Sequence, residues 1–193
     1  LVMGLAVSVY FGAFGQLPTY AELRNVSNYT ASEVYSEDEV LLGKYFIENR
    51  VNADLEEMPT SVIEALVATE DARFFQHSGI DFRAWVRVFF RTVLLMDASG
   101  GGGSTLSQQL AKNLFPRQSY SIFTIPVNKI KELFTARRLE KLYTKEELLR
   151  MYLNTVSFGG KIFGVKVAAQ RFFDKSLEQL TIEESALLVG MLK

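Results

Sequence analysis

Residues 98–113, ASGGGGSTLSQQLAKN, place four consecutive glycines directly before a helix-start signal. Thr105 and Gln108 form a T-x-x-Q capping box, which predicts that a helix begins immediately after the glycines. That helix would carry an apolar stripe on one side and, on another, a polar stripe of Ser104, Gln108 and Lys112. A glycine loop leading into a helix offers free N–H groups and the positive end of the helix dipole. The stretch is therefore either an anion site or a surface loop.

Composition narrows the class of protein. The 193 residues are 48% hydrophobic, which is enough apolar material for a packed domain. The net charge of −1 gives no support for a nucleic-acid partner. Cysteine is absent and His77 is the single histidine, so disulfides, thiolate-ligated metals and a multi-histidine centre are excluded.

The N-terminal part is apolar and uncharged. As a helix, residues 1–15 would span about 22 Å, less than the ~30 Å hydrocarbon core of a bilayer. We predict that residues 1–20 are the outer part of a transmembrane anchor, with a signal-peptide core or a buried helix as alternatives. Residues 21–55 are predicted to be a linker containing two short strands around a turn at 36–39.

From residue 56 to 193 the pattern is mainly helical, and we predict a mostly α domain. Ser61 and Glu64 form a capping box that would open its first helix, and Asp81 is placed to cap the helix at 82–96. Further helices are expected at 105–114, 127–142, 145–153, 161–172 and 181–192. The helix at 82–96 also carries a basic stripe, formed by Arg83, Arg87 and Arg91.

Two groups of charged residues are candidates for catalysis. Glu70 and Asp71 end an apolar helix just before a pair of phenylalanines, where a carboxylate is either a general base or a solvated helix end. Glu132 lies among four cations, which is typical of a helix face with ion pairs and also of a charged site. His77 alone is typical of a hydrogen-bonded structural residue.

Five stretches resemble, in order, the motifs of one enzyme family. EDARFFQHSG and GGSTLSQQLAKN resemble E-D-x-x-F-x-x-H-x-G and G-G-S-T-x-x-Q-Q-x-x-K-N, the first two motifs of the peptidoglycan glycosyltransferases, glycosyltransferase family 51. NKIKE resembles R-K-x-x-E, MYLNTVSFG resembles Y-L-N-x-x-x-x-G, and the last stretch resembles A-A-x-x-Y-F-x-K. The five stretches are residues 70–79, 102–113, 128–132, 151–159 and 168–193.

The resemblance implies a lysozyme-like, two-lobed, mostly α domain that polymerises lipid II into glycan strands. The donor would be the growing strand on undecaprenyl diphosphate, and the acceptor would be the GlcNAc 4-hydroxyl of lipid II. Transfer would proceed with inversion. Glu70 is implied to be the general base, and Glu132 a second essential carboxylate near the diphosphate. The implied substrate-binding residues are Asp71, Phe74, His77, Gly102, Gly103, Ser104, Thr105, Gln108, Gln109, Lys112, Asn113, Lys129 and Asn154.

The resemblance also implies partners and a location. The enzyme would face outward from the bacterial plasma membrane, held by a single span and by a membrane-apposed jaw at residues 114–127. The antibiotic moenomycin would bind as an analogue of the lipid-linked donor. No cofactor is implied to be required, and a divalent cation, Mg²⁺ or Mn²⁺, is left open beside Glu132. A C-terminal transpeptidase domain, as in class A penicillin-binding proteins, is a further implied partner.

One position departs from the family pattern. Asn128 stands where the third motif has arginine, so the sequence lacks a positive charge there unless a neighbour such as Lys131 supplies it. Two other functions stay open, a lysozyme-like hydrolase or lyase and a non-catalytic membrane scaffold. A hydrolase has no need of a diphosphate site, and a scaffold has no need of both Glu70 and Glu132.

Overall fold

The computed structural model describes residues 2–26, 32–35, 41–45, 51–94 and 103–192. Within these ranges the chain is mostly helical, which confirms the predicted class, while the lysozyme-like two-lobed arrangement stays a prediction. The α-helices are α1 (Val2–Tyr10), α2 (Tyr20–Arg24), α3 (Thr60–Glu70), α4 (Phe82–Leu94), α5 (Leu106–Leu114), α6 (Thr124–Leu142), α7 (Lys145–Thr155), α8 (Val165–Phe173) and α9 (Ile182–Gly190).

Two short strands lie between α2 and α3. β1 (Ser32–Tyr35) and β2 (Leu41–Tyr45) pair antiparallel, with Ser32 opposite Tyr45. The turn predicted at residues 36–39 lies outside the described residues.

The chain divides into two compact units. The first contains Leu1–Asn25 and Glu70–Leu148, and the second contains Val26–Thr69 and Leu149–Lys193. The chain passes between the units at residues 25/26, 69/70 and 148/149. The last two boundaries fall inside α3 and α7, so α3 contributes only its last residue, Glu70, to the first unit.

The first unit is built around α6, which packs against α1, α2 and α5. Val9 and Val127 are fully buried at the centre of one apolar cluster, together with Leu17. Burial of each such side chain stabilises the fold by about 1.5–3 kcal/mol. Partly buried side chains surround this cluster, namely Leu5, Phe14, Tyr120, Ile130 and Phe134.

The cap predicted for α4 is confirmed. Asp81 Oδ1 accepts a 3.0 Å hydrogen bond from the Ala84 backbone N–H, and the carboxylate also pairs with Arg73 at 2.6 Å. Burial raises the pKa of Asp81, but the Ala84 and Arg73 interactions outweigh burial and hold the pKa below its usual value. Asp81 therefore fixes the start of α4 as a charged cap.

The second unit joins α3 to α9 through two hydroxyl groups. Ser61 Oγ and Ser185 Oγ lie 2.8 Å apart. The predicted Ser61–Glu64 capping box is wrong, because α3 already begins at Thr60, directly after Pro59, and the Ser61 hydroxyl is bound across the unit. The apolar core of this unit includes Val62, Leu66, Tyr152, Leu153 and Leu188.

The helix predicted at 161–172 begins later than expected, at Val165. Gly164 adopts a φ of +83°, which only glycine adopts without strain. Just before it, Ser157 and Phe163 form an antiparallel bridge that keeps the intervening chain out of a helix. Sequence periodicity does not reveal this bridge.

Within the predicted anchor at residues 1–20, α1 is followed by turns at Gly12 and Gly15, and α2 begins at Tyr20. Among the described residues, no helix has both the length and the apolarity needed to cross a bilayer. The anchor itself stays a prediction.

Within the segment at 114–127, residues 115–120 are irregular, as the composition predicts, while both ends of the segment are helical. A 3-10 turn at Ser121–Phe123 leads into α6, which starts three residues earlier than expected. Pro126 is compatible with this early start because it lies in the first turn, where a backbone N–H has no helical partner. Ile122 and Ile125 are 84% and 74% exposed, so the segment presents apolar side chains outward.

Candidate active site

Glu70 is held by α5. Gln109 Nε2 donates a 2.8 Å hydrogen bond to Glu70 Oε2. This hydrogen bond fixes the orientation of the Glu70 carboxylate. In the described part of the chain no hydrogen bond reaches Oε1 of Glu70, so this oxygen is left to accept a proton.

Asp71, the next residue, binds the start of α5. Its Oδ2 accepts a 3.0 Å hydrogen bond from the Leu106 backbone N–H, and His77 Nε2 lies 3.0 Å from both carboxylate oxygens. The Asp71 and His77 side chains are 4% and 8% exposed. Asp71 therefore acts as a buried negative cap at the positive end of the α5 dipole.

Gly79 completes this attachment. Its carbonyl oxygen accepts hydrogen bonds from Thr105 Oγ1 at 2.8 Å and from Gln108 Nε2 at 3.1 Å. Its φ is +87°, and a Cβ there would lie 3.1 Å from the Ala136 carbonyl oxygen, so only glycine fits without strain. The loop after Glu70 is thus bound to the first turn of α5.

These contacts change the expected role of the α5 N-terminus. The T-x-x-Q box is half confirmed, since Thr105 Oγ1 caps the Gln108 N–H at 3.3 Å but the Gln108 side chain turns to Gly79. Two of the first three N–H groups of α5 are thereby bound within the protein. The prediction that this terminus offers free N–H groups to an anion is wrong for Leu106 and Gln108, and buried Gln108 does not share an exposed polar stripe with Lys112.

Glu132 lies on α6 between two cations. Its Oε1 accepts a 2.7 Å hydrogen bond from Arg117 Nε, and its Oε2 lies 3.1 Å from Lys129 Nζ. The same Lys129 Nζ donates to Ser104 Oγ at 2.7 Å. Since the Glu132 side chain is only 6% exposed, the two cations provide the compensation that a buried carboxylate needs. The predicted residues Ser104, Lys129 and Glu132 therefore lie together.

The divalent cation left open beside Glu132 stays a prediction. Both oxygens of Glu132 are bound by cationic side chains, and Mg²⁺ or Mn²⁺ prefers several oxygen ligands. Among the described residues, no three carboxylate or imidazole groups come close enough to hold a metal.

The other predicted residues are placed as follows. Lys112 is exposed on α5, one turn after Gln109 and on the same face. Asn113, at the end of α5, and Gly103, just before it, are partly buried. Gly102 lies outside the described residues. Phe74 is 1% exposed, and Lys145 Nζ lies 4.1 Å from the centroid of its ring, so it is part of the core.

Asn154 belongs to the second unit, where it binds backbone. Its Oδ1 accepts from the Ala53 N–H at 2.9 Å, and its Nδ2 donates to the Ala53 carbonyl at 2.8 Å. Asn154 is 4% exposed. Its amide therefore already serves a structural contact in this unit.

The Asn128 side chain is also hydrogen-bonded to backbone groups. Its Nδ2 donates to the carbonyl oxygens of Gln118 and Thr124 at 2.7 Å, and its Oδ1 accepts from the Gln118 N–H at 3.1 Å. These three bonds fix the path of the segment between α5 and α6. That path brings Arg117 to Glu132, a contact that sequence reasoning missed. The signal was that Arg117 is the only charged residue in the segment at 114–127.

The first unit therefore ties both candidate carboxylates to α5. Glu70 is bound through Gln109, and Glu132 through Lys129 to Ser104, the residue before the α5 cap. Within the described residues, one carboxylate has an oxygen without a hydrogen bond and is suited to take a proton, while the other lies among cations suited to an anionic group. This combination suits a reaction in which a hydroxyl group attacks and a charged group leaves.

Comparison with known families identifies the family of this chain. The transglycosylase family model matches residues 38–193, and the chain belongs to that family. The resemblance inferred from the five motifs is thereby confirmed.

Individual relatives are similar over most of the chain. Penicillin-binding protein 1A of Vibrio cholerae is 39% identical over 184 residues, which is 95% of this chain and 22% of the relative. Penicillin-binding protein 1A of Escherichia coli is 37% identical over 92% of this chain and 20% of the relative. Penicillin-binding protein 1F of Bacillus subtilis is 36% identical over 86% of this chain and 22% of the relative. The chain spans about a fifth of the length of these relatives.

Proposed function

We propose that this chain is a peptidoglycan glycosyltransferase that polymerises lipid II into glycan strands. Membership of the transglycosylase family supports the reaction class. The observation that carries the proposal is that Glu70 is bound to α5 through Gln109, and that Glu132 is bound through Lys129 to Ser104, just before α5. The same unit thereby has a base and a cation-lined carboxylate.

Glu70 is the general base in this proposal. Its Oε1 takes the proton of the GlcNAc 4-hydroxyl, and the hydroxyl oxygen attacks C1 of the donor MurNAc from the face opposite the leaving group. The C1–O bond to the diphosphate breaks, its electron pair stays on the diphosphate oxygen, and the new glycosidic bond has inverted configuration. A positioned base of this kind contributes about 10²–10⁴-fold to the rate.

The leaving group determines what the rest of the site must supply. A lipid diphosphate leaves as an anion, so cations serve it better than a strong general acid. Lys129, held by Ser104 and Glu132, lies where it can contact the diphosphate, and exposed Lys112 adds a charge on the Gln109 face of α5. We propose these two lysines as diphosphate ligands and no metal as a required cofactor.

The experiment that tests the function is polymerisation of fluorescently labelled lipid II by the detergent-solubilised chain. We expect strands that a muramidase converts back to disaccharide units, and inhibition by moenomycin. Shortening of preformed glycan strands without polymerisation would instead establish a hydrolase. Binding of lipid II with neither reaction would establish a scaffold.

We propose further that the segment at 114–127 holds the site against the outer leaflet of the bacterial plasma membrane. Ile122 and Ile125 expose apolar side chains on this segment. Removing them from a membrane costs about 25 cal/mol per Å² of apolar area. We expect the Ile122→Ser/Ile125→Ser variant to bind phosphatidylglycerol liposomes at least ~10-fold more weakly in a flotation assay. Equal flotation of variant and parent would refute the membrane contact, and Ile182→Ser, at an exposed site in the second unit, is the control.

A further inference from the structure

Asn128 lacks the positive charge that the family motif has at this position, and another residue of the same segment carries a positive charge close to Glu132. Asn128 is 4% exposed and its amide makes three hydrogen bonds to backbone, so it offers no cation to a ligand. The positive group that contacts Glu132 from the same segment is Arg117, with Nε 2.7 Å from Oε1.

Lys131 is the neighbour that the sequence suggests as a source of the missing charge, but its ammonium group is bound elsewhere. Its Nζ donates to the Phe14 carbonyl oxygen at 2.7 Å and to Tyr120 Oη at 2.8 Å. The Tyr120 hydroxyl in turn donates to Gln118 Oε1 at 2.6 Å. Lys131 therefore holds the N-terminal segment against the segment before α6, and within the described part of the chain it makes no hydrogen bond to Glu132.

Arg117 differs because most of its donor capacity is unused. Its hydrogen bond to Glu132 uses Nε, and in the described part of the chain neither Nη1 nor Nη2 makes a hydrogen bond. The side chain is 43% exposed and borders a cleft of about 130 Å³ that Glu132 and Lys131 also line. Counting Arg117, Lys129 and Lys131 against Glu132, this part of the unit has an excess of two positive charges.

We propose that Arg117 supplies the cation that the family motif places at position 128, and that it binds the donor diphosphate directly. Nε holds Glu132, and the two Nη groups donate to one phosphate in the paired geometry that a guanidinium favours. Arg117 transfers no proton and forms no covalent bond. It neutralises charge on the diphosphate before and during cleavage of the C1–O bond. This assignment rests on the proposed glycosyltransferase function.

The test compares Arg117→Ala, Arg117→Lys and the double variant Arg117→Ala/Asn128→Arg with the parent in lipid II polymerisation. We expect Arg117→Ala to raise KM for lipid II about 10–100-fold, the range for loss of hydrogen bonds to a charged group. Arg117→Lys keeps the charge but loses the paired geometry, so we expect it to recover only part of the loss. The matched control is Arg171→Ala, an exposed arginine in the second unit, with KM unchanged.

Rescue separates direct binding from a structural role. If Asn128→Arg in the Arg117→Ala background lowers KM at least ~5-fold from the single variant, the two positions supply the same charge. If circular dichroism shows that the double variant is unfolded, recovery of KM by Arg117→Lys is the result that tests direct binding. Equal KM for Arg117→Ala and the parent would overturn the inference and leave the proposed function standing.

A second measurement keeps the inference testable if the chain proves not to polymerise lipid II. Titration with inorganic pyrophosphate, followed calorimetrically, should give binding by the parent that Arg117→Ala weakens about 10-fold or more. A parent that binds pyrophosphate without polymerising would refute the function and retain the anion site. Equal binding by parent and variant, or none by the parent, would refute the role of Arg117.

Discussion

Glu70→Gln is expected to lower kcat for lipid II polymerisation by about 10²–10⁴-fold with little change in KM. The amide keeps the size of the carboxylate but cannot take the proton of the attacking hydroxyl. Gln109 still has a partner, because the new side-chain carbonyl accepts the hydrogen bond that Glu70 Oε2 accepts now. The measurement is the initial rate of strand formation at saturating lipid II.

The control for this variant is a second glutamate on α3, the helix that ends at Glu70. Glu64 is exposed on α3, so Glu64→Gln removes a solvent-exposed carboxylate of the same type, and its rate should match that of the parent. If the Glu70→Gln enzyme is active, the general base must be a group other than Glu70. A Glu70→Gln protein that no longer binds lipid II would show that Glu70 serves binding rather than proton transfer.

The sequence predicts the helical part of the fold because its signals are local. The cap at Asp81 and the hydroxyl cap at Thr105 depend on residues within three positions, so the sequence reveals them directly. The boundary of α8 is different. It depends on the bridge between Ser157 and Phe163, which the helical periodicity does not report.

The same distinction holds within the candidate site. Motif resemblance marks Glu70 and Glu132 and the residues around them, but it assigns one role, substrate binding, to side chains with different surroundings. Gln108 and Asp71 make contacts 29 and 35 positions away along the chain, and such pairings cannot be read from spacing. Arg117 lies outside all five motifs. It contacts Glu132 because the hydrogen bonds of Asn128 fix the path of the segment before α6.

The buried pair of Asp71 and His77 leads to the second large effect. Asp71→Ala leaves the His77 ring and the Leu106 N–H without their acceptor in a buried site. Each buried donor without a partner costs about 1–3 kcal/mol. We therefore expect the free energy of unfolding to fall by about 2–5 kcal/mol. At about 2–4 °C per kcal/mol for a chain of this size, the thermal midpoint should fall by roughly 4–20 °C.

Two variants show whether this loss comes from the contacts or from the charge. Asp71→Asn keeps an oxygen for the Leu106 N–H, so it should retain part of the stability that Asp71→Ala loses. Glu178→Ala removes an exposed carboxylate and should change the free energy of unfolding by less than about 0.5 kcal/mol. Thermal unfolding followed by circular dichroism measures all three.

The outcome also decides between two roles for Asp71. If Asp71 binds substrate, Asp71→Ala should weaken lipid II binding while the thermal midpoint stays near that of the parent. If it caps α5 from inside the protein, the midpoint should fall first, and the activity that remains below the transition should show nearly normal KM. We expect the second result, because both carboxylate oxygens already have partners in the protein and only 4% of the side chain is exposed. The loop that follows the proposed base would then be held to α5 by Asp71 and Gly79, and loss of that hold would displace Glu70 from Gln109.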